Sequence, residues 1–256
     1  MPSRLRRQLT LAASGLLAGA ALARAAGGSS LRAHQLGLAA SAIFLVPTLL
    51  RNCSWYGPVT NHYHTEEKQV ALTIDDGPDP QDTPEILDVL AHHQAQAVFF
   101  HIGQKVVRHP DLVRAVVEGG HSIQNHTWSH PRASFWATTP AGARRQIIRA
   151  SQAIRQTSGQ APHLFRAPAG LANPFVHTAA EKAGLRLTGW SASGNDGLPH
   201  HPQRVIARIL QDIRPGGIIL LHEGPLAGLA PGTRARTLAG VLQGLDQRGY
   251  RVGSLL

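Results

Sequence analysis

From Lys68 onward, short apolar runs alternate with amphipathic segments, and no other property of the chain restricts its fold so strongly. Val70-Ala71-Leu72-Thr73-Ile74 predicts a buried strand ending at Asp75-Asp76. A helix is predicted over 83–93, where Pro84 suits a first helical turn. Further strands are predicted over 97–100, into Arg166, over 185–190 and over 218–221. Further helices fall at 110–118, 141–157, 174–183, 202–213 and 233–247, the first stopped by Gly119-Gly120. Strands alternating with helices imply a parallel α/β sheet closed into a barrel, with chemistry at the strand C-terminal ends. There is no internal repeat and no long low-complexity segment.

Residues 1–65 are different, and a signal-like, membrane-associating segment is expected there, ahead of a catalytic domain over 66–256. Arg4, Arg6 and Arg7 precede an uncharged run from Gln8 to Ala23, and small residues follow, as in a signal peptide. A second uncharged run covers 33–50, with Pro47 inside it. Each is marginal for a bilayer, which needs about 20 apolar residues. Two such runs would make a membrane hairpin; the alternative is a cleaved signal followed by an apolar segment packed on the domain. An envelope location at the inner (plasma) membrane is expected, with the side of the catalytic domain undetermined.

The net charge of +10 suggests nucleic acid until it is located. Six arginines and no Lys, Asp or Glu lie in residues 1–65, so the remaining 19 basic and 15 acidic residues leave only +4. No dense basic stripe with interleaved aromatics follows, so no nucleic-acid partner is expected. Cys53 is the only cysteine, which excludes an intrachain disulfide and a Cys-rich zinc site.

The ionisable residues gather at the predicted strand ends. Asp75-Asp76-Gly77-Pro78 places two carboxylates there, although alone this is ordinary turn chemistry. His126 and His130 stand at i and i+4, a spacing that puts both imidazoles on one face of a helical turn. With a carboxylate as third ligand they would make the open three-ligand site of a hydrolytic metal; with 15 histidines in the chain, a chance pair is the alternative. Phe165-Arg166-Ala167-Pro168-Ala169 and Leu220-Leu221-His222-Glu223 end two more strands, and Asp196 follows another.

In this order, Asp75-Asp76-Gly-Pro, His126-x3-His130, Arg166-x-Pro168 and Leu220-x-His222 resemble the polysaccharide deacetylases with the NodB homology domain (carbohydrate esterase family 4). The resemblance runs from about Lys68 to Val252 and implies a distorted, incomplete, TIM-like (β/α) barrel of NodB type with an apolar N-terminal extension. It implies that Asp76, His126 and His130 bind a divalent metal, most simply zinc. It makes Asp75 the general base, oriented by Arg166, and His222 the general acid, tuned by Asp196. Pro168, Leu220 and the backbone N–H of Ala169 become the acetyl pocket and oxyanion site. The implied activity is metal-dependent removal of N-acetyl groups from an amino sugar in an envelope polysaccharide, oligosaccharide or lipid-linked glycan.

Three departures bear on substrate. Ala169 stands where the family usually has an aromatic residue, and Ser193-Gly194-Asn195-Asp196-Gly197 replaces its Asp-x-x-Asp-Trp. Glu223 replaces the common Asp, a milder change. The altered groove argues for a small or lipid-linked glycan rather than long chitin or bare peptidoglycan strands. Two rival readings are a non-catalytic glycan-binding protein on the same scaffold and a deformylase of a lipid-linked amino sugar.

Overall fold

The computed structural model describes residues 30–198 and 201–255, together with Ala21 and Arg24. The second apolar run forms a helix, α1 (Ser30–Thr48), with Pro47 in its last turn. Leu31, Leu38, Leu45 and Val46 on it are exposed, and Ala33 is buried. Among the described residues no helix is long and apolar enough to cross a membrane. The first run, from Gln8 to Ala23, lies outside the described residues except for Ala21, so the expected membrane hairpin gains no support from the structure.

The body is a parallel sheet wrapped by helices. Its strands are β1 (Gln69–Asp75), β2 (Val98–His101), β3 (Ser122–Asn125), β4 (Leu164–Phe165), β5 (Arg186–Leu187), β6 (Ala192–Ser193), β7 (Ile218–His222) and β8 (Arg251–Val252). The order across the sheet is β5-β4-β3-β2-β1-β7-β6, with β8 beside the start of β1. Helices α2 (Asp82–His92), α3 (Gly103–Arg108), α4 (Pro110–Glu118), α5 (Pro140–Ser158), α6 (Pro174–Lys182), α7 (Pro202–Asp212) and α8 (Thr233–Asp246) fill the connections. Four of these open on proline, whose fixed φ suits a first turn and whose lost N–H costs nothing there. The alternation predicts the parallel sheet but a closed barrel; the strand order is open, as in the incomplete barrel that the family resemblance implies.

The apolar runs become strands because both of their faces are covered. Val70 to Asp75 is buried throughout, with Leu72 and Ile74 packed among Phe99, Ile123 and Ile219. A second cluster, containing Phe135, Ile147, Phe165 and Val176, closes the β4 side. Between the sheet's two ends, the chain ahead of β1 acts as a stitch: Thr60 bridges Thr188 and His62 bridges Gly217.

Register decides what the rim carries. Asp75 is level with Phe100 on β2 and His222 on β7, while His101 is level with Asn125 and Asn125 with Phe165. Residues one or two steps beyond these, Asp76, His126 and Arg166, therefore emerge together at the C-terminal edge.

Candidate active site

Asp76, His126 and His130 each offer a ligand atom, and the three atoms lie within 4.8 Å of one another. Asp76 Oδ1 is 3.4 Å from His126 Nε2 and 3.3 Å from His130 Nε2. It is buried and has no hydrogen-bond partner, so the atom aimed between two imidazoles is one that a cation would satisfy. His126 Nδ1 lies 2.9 Å from the Arg166 carbonyl. That oxygen can only accept, so Nδ1 holds the proton and Nε2 is left with its lone pair for a metal. One carboxylate and two imidazoles suit zinc or a similar divalent ion.

The histidines do not share a helical turn. They sit on an irregular loop after β3, where Thr127 and His130 have positive φ (70° and 49°). Side chains make this path possible: Asn125 Oδ1 accepts from the Thr127 N–H, Thr127 Oγ1 from the His130 N–H, and Gln146 Oε1 from the Trp128 and Ser129 N–H groups. The rings end 4.7 Å apart, centroid to centroid. Asp76 is also left-handed, at φ 76°, and its carbonyl accepts from Lys105 Nζ at 2.7 Å.

Burial opposes ionisation of Asp76, but the adjacent imidazoles of His126 and His130 hold its carboxyl well below the usual range. Burial, then the neighbouring His126, pushes His130 down to about 4, so it is neutral and ready to ligate at neutral pH.

Beside this cluster, Asp75 Oδ1 accepts from Arg166 Nη1 at 2.6 Å. Arg166 is fully buried, and its guanidinium also donates to Thr73 Oγ1 and the Gly189 carbonyl. It lies 4.1 Å from the Phe100 ring centroid. Asp75 Oδ2 is left on the metal-cluster side, 3.7 Å from His126 Nε2.

Opposite stands His222. Its Nδ1 is 2.8 Å from Asp196 Oδ1, and its backbone N–H donates to Asp196 Oδ2 at 2.8 Å. Burial alone would lower the imidazole pKa, but Asp196, with Asp75 and Asp76 farther off, pushes it up to about 9. Behind Asp196 lies Arg234, also buried, donating to its Oδ2 at 3.2 Å and its carbonyl at 2.6 Å. Arg234 was hidden in the sequence as a residue of the last helix. A cation in a helix's first turn opposes the macrodipole, and that misfit was a sign of a specific partner.

Asp75, Asp76, His126, His130, Ala169, Leu220 and His222 line one pocket. Arg166 and Asp196 stand behind its wall, and Pro168 is buried beneath Ala169 without lining it. Ala169 is left-handed (φ 55°), as is Asn195 (φ 57°). Strained backbone is thus concentrated around this pocket, as at functional sites generally. A Cβ on Gly197 would lie 3.5 Å from His222 Nε2, so glycine here leaves that nitrogen open to the pocket.

Glu223, a mild change by sequence, forms with His101 a buried layer under the rim. Glu223 Oε1 is 3.3 Å from His101 Nε2, both side chains fully buried, and Thr83 Oγ1 donates to the other carboxylate oxygen. A side chain at Gly77 would collide with this carboxylate, so the turn after Asp76 needs glycine.

A family model described as polysaccharide deacetylase matches residues 62–188, which include Asp75, Asp76, His126, His130 and Arg166. A chitooligosaccharide deacetylase of Bradyrhizobium sp. (strain ANU 289) is 37% identical over 197 residues, covering 73% of this chain and 89% of the relative. A peptidoglycan-N-acetylglucosamine deacetylase of Bacillus cereus is 34% identical over 197 residues, covering 76% and 90%. The structure of a family 4 acetyl xylan esterase from Clostridium thermocellum, in complex with a cobalt ion, aligns with a TM-score of 0.65 at 29% identity, over 73% of this chain and 88% of that one.

Proposed function

This chain belongs to the polysaccharide deacetylase family, and from that premise we propose that it is a metal-dependent hydrolase of the N-acetyl group on an amino sugar of the cell envelope. One observation carries the reading. A candidate cation cluster, a carboxylate clamped by a buried arginine and a charged imidazole clamped by a buried aspartate face a single pocket.

Asp76, His126 and His130 are the residues that would hold the ion, with zinc first by donor chemistry. When bound, the ion supplies Lewis acidity, which activates water and polarises an amide carbonyl. Asp75 takes the proton of the attacking water through Oδ2, because Arg166 occupies Oδ1 and sets the carboxylate's orientation. The Ala169 N–H donates to the oxygen that gains charge as the carbonyl carbon becomes tetrahedral. An amide nitrogen leaves poorly as an anion, so His222 donates its Nε2 proton to the departing amine. Asp196 keeps that proton in place at neutral pH by pairing with the opposite nitrogen. Leu220 packs against the acetyl methyl group, and the small wall at Ala169 favours a small or lipid-linked glycan.

The test is release of acetate from acetylated chitooligosaccharide, peptidoglycan and lipid-linked acetamido sugar. Wild type and Asp75→Asn are compared, with metal content measured and a chelator control. Wild type releases acetate stoichiometric with free amine and stops on chelation, and Asp75→Asn is slower by about 10²–10⁴-fold. Formate in place of acetate would identify the deformylase. Glycan binding by metal-loaded protein without product would identify a binding protein. Equal rates for wild type and variant would discard the mechanism.

A further inference from the structure

Two cations at the pocket are not used by the chemistry above. Arg51 and Arg132 both line the pocket that holds Asp75, Asp76 and His222, and both are exposed. Among the described residues neither is in an ion pair, whereas the three carboxylates deeper in the site, Asp75, Asp76 and Asp196, are already matched by three cations, Arg166, Arg234 and the protonated His222. The positive charge at the mouth is therefore surplus to the site's internal balance.

Both arginines extend from pinned backbone. Asn52, next to Arg51, donates its N–H to the Gly170 carbonyl at 2.9 Å and its Nδ2 to the Trp190 carbonyl at 3.0 Å. It takes a left-handed φ of 54° to do so. Its side chain fills space that only glycine leaves open, since a Cβ on Gly170 or Gly189 would come within 2.9 or 2.5 Å of Asn52 Oδ1. Asn52 thus plugs the leading segment against the loop that carries Ala169 and delivers Arg51 to the rim. Arg51 lies ahead of the region that the family model matches, in the segment between α1 and β1. Arg132 follows the metal loop, its N–H bonded to the His130 carbonyl at 2.7 Å, and buried Phe135 anchors the turn behind it.

We propose that Arg51 and Arg132 form an anion subsite at the pocket mouth, making the preferred substrate an acetamido sugar that bears a phosphate or carboxylate group. The proposal rests on the deacetylase reading for the identity of the sugar, but the subsite is defined by binding. A guanidinium presents planar donors that match either oxyanion, and a neutral chitooligosaccharide offers it none. Attraction of an exposed pair also gives salt-sensitive capture.

The experiment measures binding to metal-loaded Asp75→Asn protein by calorimetry, with N-acetylglucosamine, N-acetylglucosamine 1-phosphate and N-acetylmuramic acid as ligands. At least one anionic sugar binds tighter than the neutral one by about tenfold or more. The stronger arm identifies phosphate or carboxylate. Adding Arg51→Gln and Arg132→Gln, both exposed positions, removes that preference, and raised salt shrinks it. Equal binding of all three sugars overturns the subsite. So does a preference that survives both substitutions, because the anion then rests on the metal. Arginine-dependent preference in a protein whose wild type releases no acetate leaves the subsite standing and refutes the deacetylase reading alone.

Discussion

Two aspartates on opposite sides of the pocket are each buried against an arginine, and the contrast between them accounts for the different roles proposed for them. Asp75 gives one oxygen to Arg166 and keeps the other beside the candidate metal ligand His126. Asp196 has no oxygen to spare: Oδ1 takes the His222 Nδ1–H, while Oδ2 takes the His222 N–H and Arg234. The same ion pair therefore leaves one carboxylate available for proton transfer and turns the other into a support. What distinguishes the proposed base from the proposed anchor is the number of lone pairs already committed.

Breaking the Asp75 side should have the largest effect. Asp75→Asn keeps the shape and removes the base, with a loss of about 10²–10⁴ in kcat/KM. Arg166→Met leaves the Asp75 charge buried without its partner and should cost about 3–5 kcal/mol of stability. Denaturant unfolding of the metal-free protein reads this directly, and a change below about 1 kcal/mol would mean that water or another group replaces the guanidinium.

On the other side the effect is a shift in pH. His222 is raised from 6.5 to about 9, so its protonated form is the native one at neutral pH. Stability from the pair is fully present below the unfolded value of about 6.5 and is lost as pH rises through about 9. NMR titration of the metal-free protein should find this imidazole near 9, and Asp196→Asn should bring it down toward the ordinary value. In the same variant, the alkaline fall of kcat/KM moves to lower pH. An unmoved limb would remove His222 as the acid.

Arg234→Gln should act in the same experiment more weakly, and in the opposite sense for the imidazole. Removing a cation from Asp196 strengthens the carboxylate's hold on His222, so the pKa stays raised while positioning loosens. A smaller kcat with an unshifted or slightly raised alkaline limb is the expected pattern. A limb that moves down would show that Arg234 keeps Asp196 in place rather than merely balancing its charge.

Much of the scaffold was legible because apolar residues run continuously in a strand covered on both faces, as in 70–74 and 218–221. β3 escaped because Ser122, Gln124 and Asn125 are polar. Gln124 and Asn125 are tolerated in the interior because Gln124 Oε1 accepts the His163 and Leu164 N–H groups, and Asn125 Nδ2 donates to the Ile147 carbonyl and Ser151 Oγ. Hydropathy cannot foresee such partners, which lie 22 to 40 residues away. The histidine spacing misled in the same way: i and i+4 suggested a helix, while backbone N–H groups donating to the Asn125, Thr127 and Gln146 side chains impose a loop with left-handed residues.

By itself, the order of residues determined that strands and helices alternate, that ionisable side chains cluster at strand ends, and which family the motifs resemble. Those properties are local, set by periodicity and by residue chemistry at short range. Tertiary structure alone decided that Arg234 backs Asp196, that His101 and Glu223 support the rim, and that Asn52 brings Arg51 to the pocket. Each of those facts depends on distances between residues far apart in the chain, and such distances exist only after the sheet has fixed its register.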